Sequence, residues 1–236
     1  LKYDFKLEPA FVIHRRAYRD TSLLIDFFTP NYGLVTAVAR GARSAKSSMR
    51  GILHPFIPLV ITCRGQNLLT LFQAETQGKS AYLRHNLLMA GLYINELITK
   101  LLTRHDPHPQ IFNAYQQAIL ALVKGDSLEI TLRCFEKQLL ESLGYGLQFD
   151  KLHDGQSIRP EEFYTYYFEV GFCRIDKDMA SSSSALLLPG YHLQAIQHAI
   201  FDCPEVQQSA KRLFRQIIQY LLANHTINTR ALLIAR

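Results

Sequence analysis

The chain has no acidic residue between Asp26 and Glu75, and none after Glu205. A metal-dependent nuclease needs clustered carboxylates, so these stretches exclude one there. Cysteine is scarce: Cys63, Cys134, Cys173 and Cys203 lie far apart and form no CxxC pair. Reduced thiols in a cytoplasm are therefore expected, not a disulfide framework. No apolar run approaches the length of a membrane span, and no membrane partner is expected. GxxxxGK[ST], GxSxG and HExxH are all missing, so the common phosphate-cradling loop and two catalytic signatures are absent. The opening Leu1-Lys2-Tyr3-Asp4 lacks the order of a secretion signal, and a cytoplasmic location is expected.

Within the acid-free window lies Arg40-Gly41-Ala42-Arg43-Ser44-Ala45-Lys46-Ser47-Ser48-Met49-Arg50-Gly51. Small residues let a polyanion approach the backbone, and Arg40, Arg43, Lys46 and Arg50 would neutralise phosphates. A nucleic-acid contact is the functional reading; a solvated basic hairpin tip is the plainer one. The net charge of +6 over 236 residues favours an anionic partner without naming it. A hydrophobic share of 48% and a charged share of 19% suit a soluble globular protein of one or two domains.

The first part of the chain reads as strands: Phe11–His14, Thr21–Phe28, Leu34–Arg40, Pro55–Cys63 and Leu68–Ala74. Short strands at hairpin spacing suit a small closed barrel, the OB type being one option. Near Asn86, a plausible N-cap, the period changes to that of a helix. A second helix follows on Ile111, Phe112, Tyr115, Ile119 and Leu122. Asp126 and Glu129 have capping-box spacing and open a third helix that stops at Gly144. Residues 145–188 read as irregular, with Tyr164–Cys173 β-like and Ser181–Ser184 flexible. Tyr191–Phe201 and Glu205–Ala223 suit two more helices. The expected class is α+β: a β barrel over 1–80, then a helical bundle over 81–236 with a partly β-like insert.

Further constellations are weaker. His105-Asp106-Pro107-His108 reads as a polar connection between helices. Asp150/His153 and Cys173/Asp176 have spacings that zinc could use, but two aspartates with one thiolate would be unusual. Lys211, Arg212 and Arg215 form a second basic region on an amphipathic helix, with Arg230 and Arg236 beyond. Arg15, Arg16 and Arg64 are additional DNA-contact candidates whose faces the sequence does not fix. Among the barrel aromatics, Phe11, Phe27, Phe28, Phe56 and Phe72 are expected in the core. Tyr18 and Tyr32, next to turns, are the expected surface pair for stacking on bases.

Several fragments, in order, carry a resemblance. They are Phe11-Val12-Ile13-His14-Arg15-Arg16, Thr21-Ser22-Leu23-Leu24, Ala39-Arg40-Gly41-Ala42-Arg43-Ser44 and Gly51-Ile52-Leu53-His54-Pro55-Phe56. Gly91-Leu92-Tyr93-Ile94-Asn95-Glu96-Leu97, Leu132-Arg133-Cys134-Phe135-Glu136 and Leu143-Gly144-Tyr145-Gly146 complete the set. With these spacings the chain resembles the bacterial RecO recombination-mediator family over nearly its full length. The resemblance implies an N-terminal OB-fold domain, a C-terminal helical domain and binding of single- and double-stranded DNA without catalysis. It implies strand annealing and the partners RecR, the single-stranded DNA-binding protein and, indirectly, RecA, in a nucleoid-associated setting; the alternative reading is a plain single-strand-binding module without mediator activity, whose helical half serves only dimerisation. It further implies that the helical domain docks the acidic C-terminal tail of the single-stranded DNA-binding protein. For that tail, Arg133, with Lys137, would hold the carboxylate, and Leu139 or Leu143 would line the pocket. Many members carry a CxxC…CxxC zinc site after the LGY helix. Here only Cys173 stands in that region, so no metal or cofactor is expected.

Overall fold

The computed structural model describes residues 3–66, 68–78, 83–176, 186–222, 227 and 229. Ser181–Ser184, Arg230 and Arg236 lie outside them. Among the described residues the strands are β1 (Tyr3–Tyr18), β2 (Ser22–Thr29), β3 (Gly33–Ala39), β4 (Pro58–Gly65) and β5 (Leu69–Thr76), followed by five α-helices and a small second sheet. The pairings run β1-β2-β3-β5-β4, and β4 returns to β1, so the sheet closes on itself. Among the described strands of the barrel, β3 and β5 pair in parallel, through Ala37↔Leu69 and Val38↔Thr70, and the other pairs are antiparallel.

The expected Phe11–His14 run is the middle of a much longer strand. β1 pairs with β4 through its first half and with β2 through its second. Register breaks between Phe5 and Glu8, and between Val12 and His14, let it bend from one side of the sheet to the other. Alternation then sends Val12, Ile25, Phe27, Val35, Leu59, Ile61 and Cys63 into the barrel core. Cys63 is inert there, its thiol pushed up to about 12 by burial.

Helices α1 (His85–Leu101) and α2 (Pro109–Lys124) belong with the barrel. Phe11 and Phe28 point away from the barrel core and meet Phe112 and Tyr115 of α2, with ring centroids 5.0–6.0 Å apart. Asn95 of α1 ties three elements together: Nδ2 donates to the Ile13 carbonyl at 3.0 Å, and Tyr115 Oη donates to Oδ1 at 2.8 Å. The His105–His108 connection is a docking element as well as a polar link. His105 N donates to the Leu34 carbonyl, and a Cβ on Gly33 would lie 2.1 Å from the Asp106 carbonyl oxygen. Only glycine fits there, and its φ of +65° suits that residue too.

By packing, one compact unit runs to Asp126 and takes in Ile227 and Thr229; the second begins at Ser127. The change from strand to helix near residue 80 is therefore not where the packing divides. The second unit is not a pure bundle. It holds α3 (Leu128–Leu140), a sheet ordered β7-β6-β8 from Phe163–Tyr167 (β6), Gly171–Arg174 (β7) and Leu188–Pro189 (β8), α4 (Gly190–Gln197) and α5 (Pro204–Leu221). α5 buries Val206, Ala210, Leu213, Phe214, Ile217 and Ile218 and packs on α3 and α4. α3 runs into a π turn, Glu141–Tyr145, ended by Gly144 at φ 83°.

Two expected caps do not form. α1 starts at His85, with Arg84 extended in the cap position and no side-chain cap bond. Ser127, not Asp126, precedes α3, and Glu129 pairs with Lys211 at 3.1 Å in place of closing a box.

Candidate nucleic-acid interface

The basic run between β3 and β4 is a chain of turns fastened to the barrel. Ser44, Ser47 and Arg50 N–H groups each donate three residues back. Ala42 and Leu53 are buried in the barrel core, with Met49 and Ile52 packed against it. Arg43 N donates to the Thr21 carbonyl at 2.8 Å, which fixes the loop to the β1–β2 turn. The small residues thus make a close fit to the barrel, and the cations stay outside. Arg40, Arg43, Lys46 and Arg50 are all exposed.

Two residues of β1 join them. Arg15, Arg16, Arg43, Arg50 and His54 line an open cavity of about 570 Å³, floored by Ala17, Leu23 and Ala42. No carboxylate lines it. Arg15 is half-buried and donates through Nη1 to the Leu53 carbonyl at 3.0 Å, while Arg16 is exposed. Among the described residues, none of Arg16, Arg40, Arg43, Lys46 and Arg50 has a carboxylate within ion-pair distance. Burial, and then the Arg15 charge, hold His54 below the usual imidazole range. Such a cup suits a phosphate: it supplies charge-assisted donors and nothing that repels an anion.

Arg64 stands apart from the cup. It pairs with Asp4 at 3.1 Å and lies 5.7 Å from the Phe72 ring centroid. Phe11, Phe27, Phe28 and Phe56 are buried as expected, whereas Tyr18, Tyr32 and Phe72 depart from expectation. Tyr32 is half-buried, stacked on Phe5 at 4.3 Å and edge-on to Tyr3. Tyr18 is half-buried beneath Arg19, whose guanidinium is 5.3 Å from its ring. Phe72, expected in the core, is 60% exposed. The cause is a register shift between Thr62 and Cys63 in the β4–β5 pairing, which breaks alternation and turns both Phe72 and Gln73 outward.

In the second unit, Lys211 is ion-paired to Glu129, while Arg212 and Arg215 are exposed. Arg133 does not face solvent. It is 3% exposed and pairs with Glu136 at 3.0 Å, because this face of α3 turns inward. Lys137 is half-buried and pairs with Glu141 at 2.6 Å, Leu139 is buried and Leu143 is half-buried. These four residues therefore do not form a surface pocket. A concavity of about 400 Å³ lies just beyond α3, lined by Tyr145, Lys151, His153, Phe168 and Val170. Phe168 stacks on Tyr220 at 3.4 Å. The exposed apolar side chains there carry no sequence periodicity that would have revealed them.

The residues present do not suit the zinc group that the resemblance implies for many members. Cys173 Sγ and His153 Nδ1 are 3.5 Å apart, and burial followed by the Asp154 charge raises the thiol, against the thiolate that zinc needs. Among the described residues no three His, Cys, Asp or Glu side chains converge. No helix among them is long and apolar enough to cross a membrane.

A closed sheet carrying an acid-free arginine cup has the charge and donors to suit a polyanion. Comparison with known proteins supplies the family. Residues 5–78 match the family model "Recombination protein O N terminal" and residues 85–230 match "Recombination protein O C terminal". The chain is 40% identical over 229 residues to a DNA repair protein RecO of Coxiella burnetii, covering 96% of this chain and 97% of that one. It is 37% identical over 228 residues to that of Methylococcus capsulatus, covering 96% and 92%. For the protein of Dechloromonas aromatica the identity is 38% over 227 residues, covering 94% and 93%. The chain belongs to the recombination protein O family.

Proposed function

We propose that this chain is a DNA-binding recombination mediator acting in DNA repair in the cytoplasm. It holds DNA through an OB-type barrel, anneals complementary single strands and performs no catalysis. With RecR it helps RecA load onto DNA coated by single-stranded DNA-binding protein. The observation that supports this is the cup of Arg15, Arg16, Arg43 and Arg50, with Arg40 and Lys46 on the same fastened loop and no opposing carboxylate. Family membership supplies the repair context.

The partner tail is assigned to the second unit, but not to Arg133. An apolar residue with a free carboxylate suits the concavity beside Tyr145 better, where Lys151 supplies the cation.

The test is a salt titration of DNA binding by the Arg40→Ala/Arg43→Ala/Lys46→Ala/Arg50→Ala variant. Each lost phosphate contact lowers the log–log salt slope by about 0.7 on single strands. Weaker binding of all sequences with a flatter slope supports the reading. A slope equal to that of the unmodified protein overturns it.

A further inference from the structure

Phe72 has an unusual setting for an exposed aromatic ring. Both neighbours of β4 lose register beside Thr62 and Cys63: β1 between Phe5 and Glu8, and β5 opposite Thr62/Cys63. One irregularity leaves Leu7 63% exposed at φ 54°, and the other leaves Phe72 60% exposed. Arg64, between them on β4, lies against the Phe72 ring and is itself fixed by Asp4. The ring is thus steadied on one side and open on the other.

Its position relative to the basic loop follows from the parallel pairing. Val38 of β3 pairs with Thr70 of β5. Arg40 stands two residues past Val38, just as Phe72 stands two past Thr70, and both are exposed. Arg40 and Phe72 thus each follow two residues beyond the last pair of the same β3–β5 ladder. A cation for phosphate beside a flat apolar face for a base is the arrangement that takes an unpaired nucleotide. A duplex keeps its base faces stacked internally and has no use for the ring.

We infer that Phe72, backed by Arg64, is a stacking platform for one unpaired base of a single strand whose phosphates run along Arg40 and the loop. The inference rests on the DNA-binding reading above and selects single strands as the substrate of this face. Arg64 is then a support for the ring, because Asp4 already neutralises it.

The experiment measures binding of fluorescein-labelled oligothymidine and of a labelled duplex by the full chain and by Phe72→Ala, Phe72→Leu and Phe72→Trp. The side chain is exposed, so thermal unfolding should be unchanged and serves as the folding control. Phe72→Ala and Phe72→Leu should weaken single-strand binding about ten-fold, the size of one lost base–aromatic stack, and leave duplex binding and the salt slope unchanged. Phe72→Trp should retain affinity, and its fluorescence should be quenched by the single strand and not by the duplex. Equal losses on both DNAs, or full affinity in Phe72→Leu, overturn the platform. Unchanged binding of naked DNA by Phe72→Ala also overturns it, and points to a protein surface covering the patch. These outcomes leave the salt slope of the loop variant untouched, so failure here is distinct from failure of the DNA-binding reading.

Discussion

Arg15 Nη1 donates to the Leu53 carbonyl oxygen at 3.0 Å, so β1 grips the far end of the basic loop. Leu53 is fully buried, and the bond to its carbonyl is part-buried. Arg15→Ala should lower the unfolding free energy by about 1–2 kcal/mol, the scale of a partly buried charge-assisted bond. Urea unfolding checks this. Arg15→Lys should keep more of the DNA affinity than Arg15→Ala, because charge survives while the fork geometry does not.

His54 gives a pH dependence with a definite sign. Burial and Arg15 lower its folded-state value from 6.5, so the folded protein binds fewer protons than the unfolded chain below that pH. Stability contributed by this residue is therefore lost as pH falls through 6.5 toward the depressed folded value. A phosphate in the cup reverses the local charge and favours the imidazolium, so binding takes up a proton. Affinity for single-stranded DNA should rise as pH is lowered from about 8 to about 6, beyond any change shown by His54→Gln. Parallel binding curves for the two proteins decide the matter; identical pH profiles would remove His54 from the interface.

The buried pair on α3 should behave as a unit. Arg133→Met removes the guanidinium 3.0 Å from the Glu136 carboxylate, which is 1% exposed. The expected loss is about 3–5 kcal/mol, with most of it recovered in Arg133→Met/Glu136→Leu. Chemical denaturation of the single and double variants measures the coupling. Additive losses would show that the two side chains act separately.

Much of the barrel was legible because β-like runs stand at hairpin spacing between turn residues, with clean alternation in β4, and the helices were legible from their apolar spacing. The loop cations were legible because nothing acidic interrupts them. What escaped depends on pairing between distant segments. The register break opposite Thr62 and Cys63 turns Phe72 and Gln73 to the same side, and no local pattern encodes it. Arg133 escaped for a related reason: its spacing from Lys137 fixes a shared side of the helix but not whether that side meets solvent. Tyr32 stands next to a turn, yet Tyr3 and Phe5, remote in sequence, cover it.

The link from Ile13 through Asn95 to Tyr115 bears on how members of this family can be recombined in the laboratory. The strands of the barrel end at Thr76, but Phe11 and Phe28 meet the rings of Phe112 and Tyr115 on α2. A fragment cut after β5 would present those rings bare to water. A chimera joined near residue 80 would face them with another protein's helices. A junction at Asp126 keeps barrel, amide and rings from one parent, and the interchangeable module of this chain is the barrel together with its first two helices.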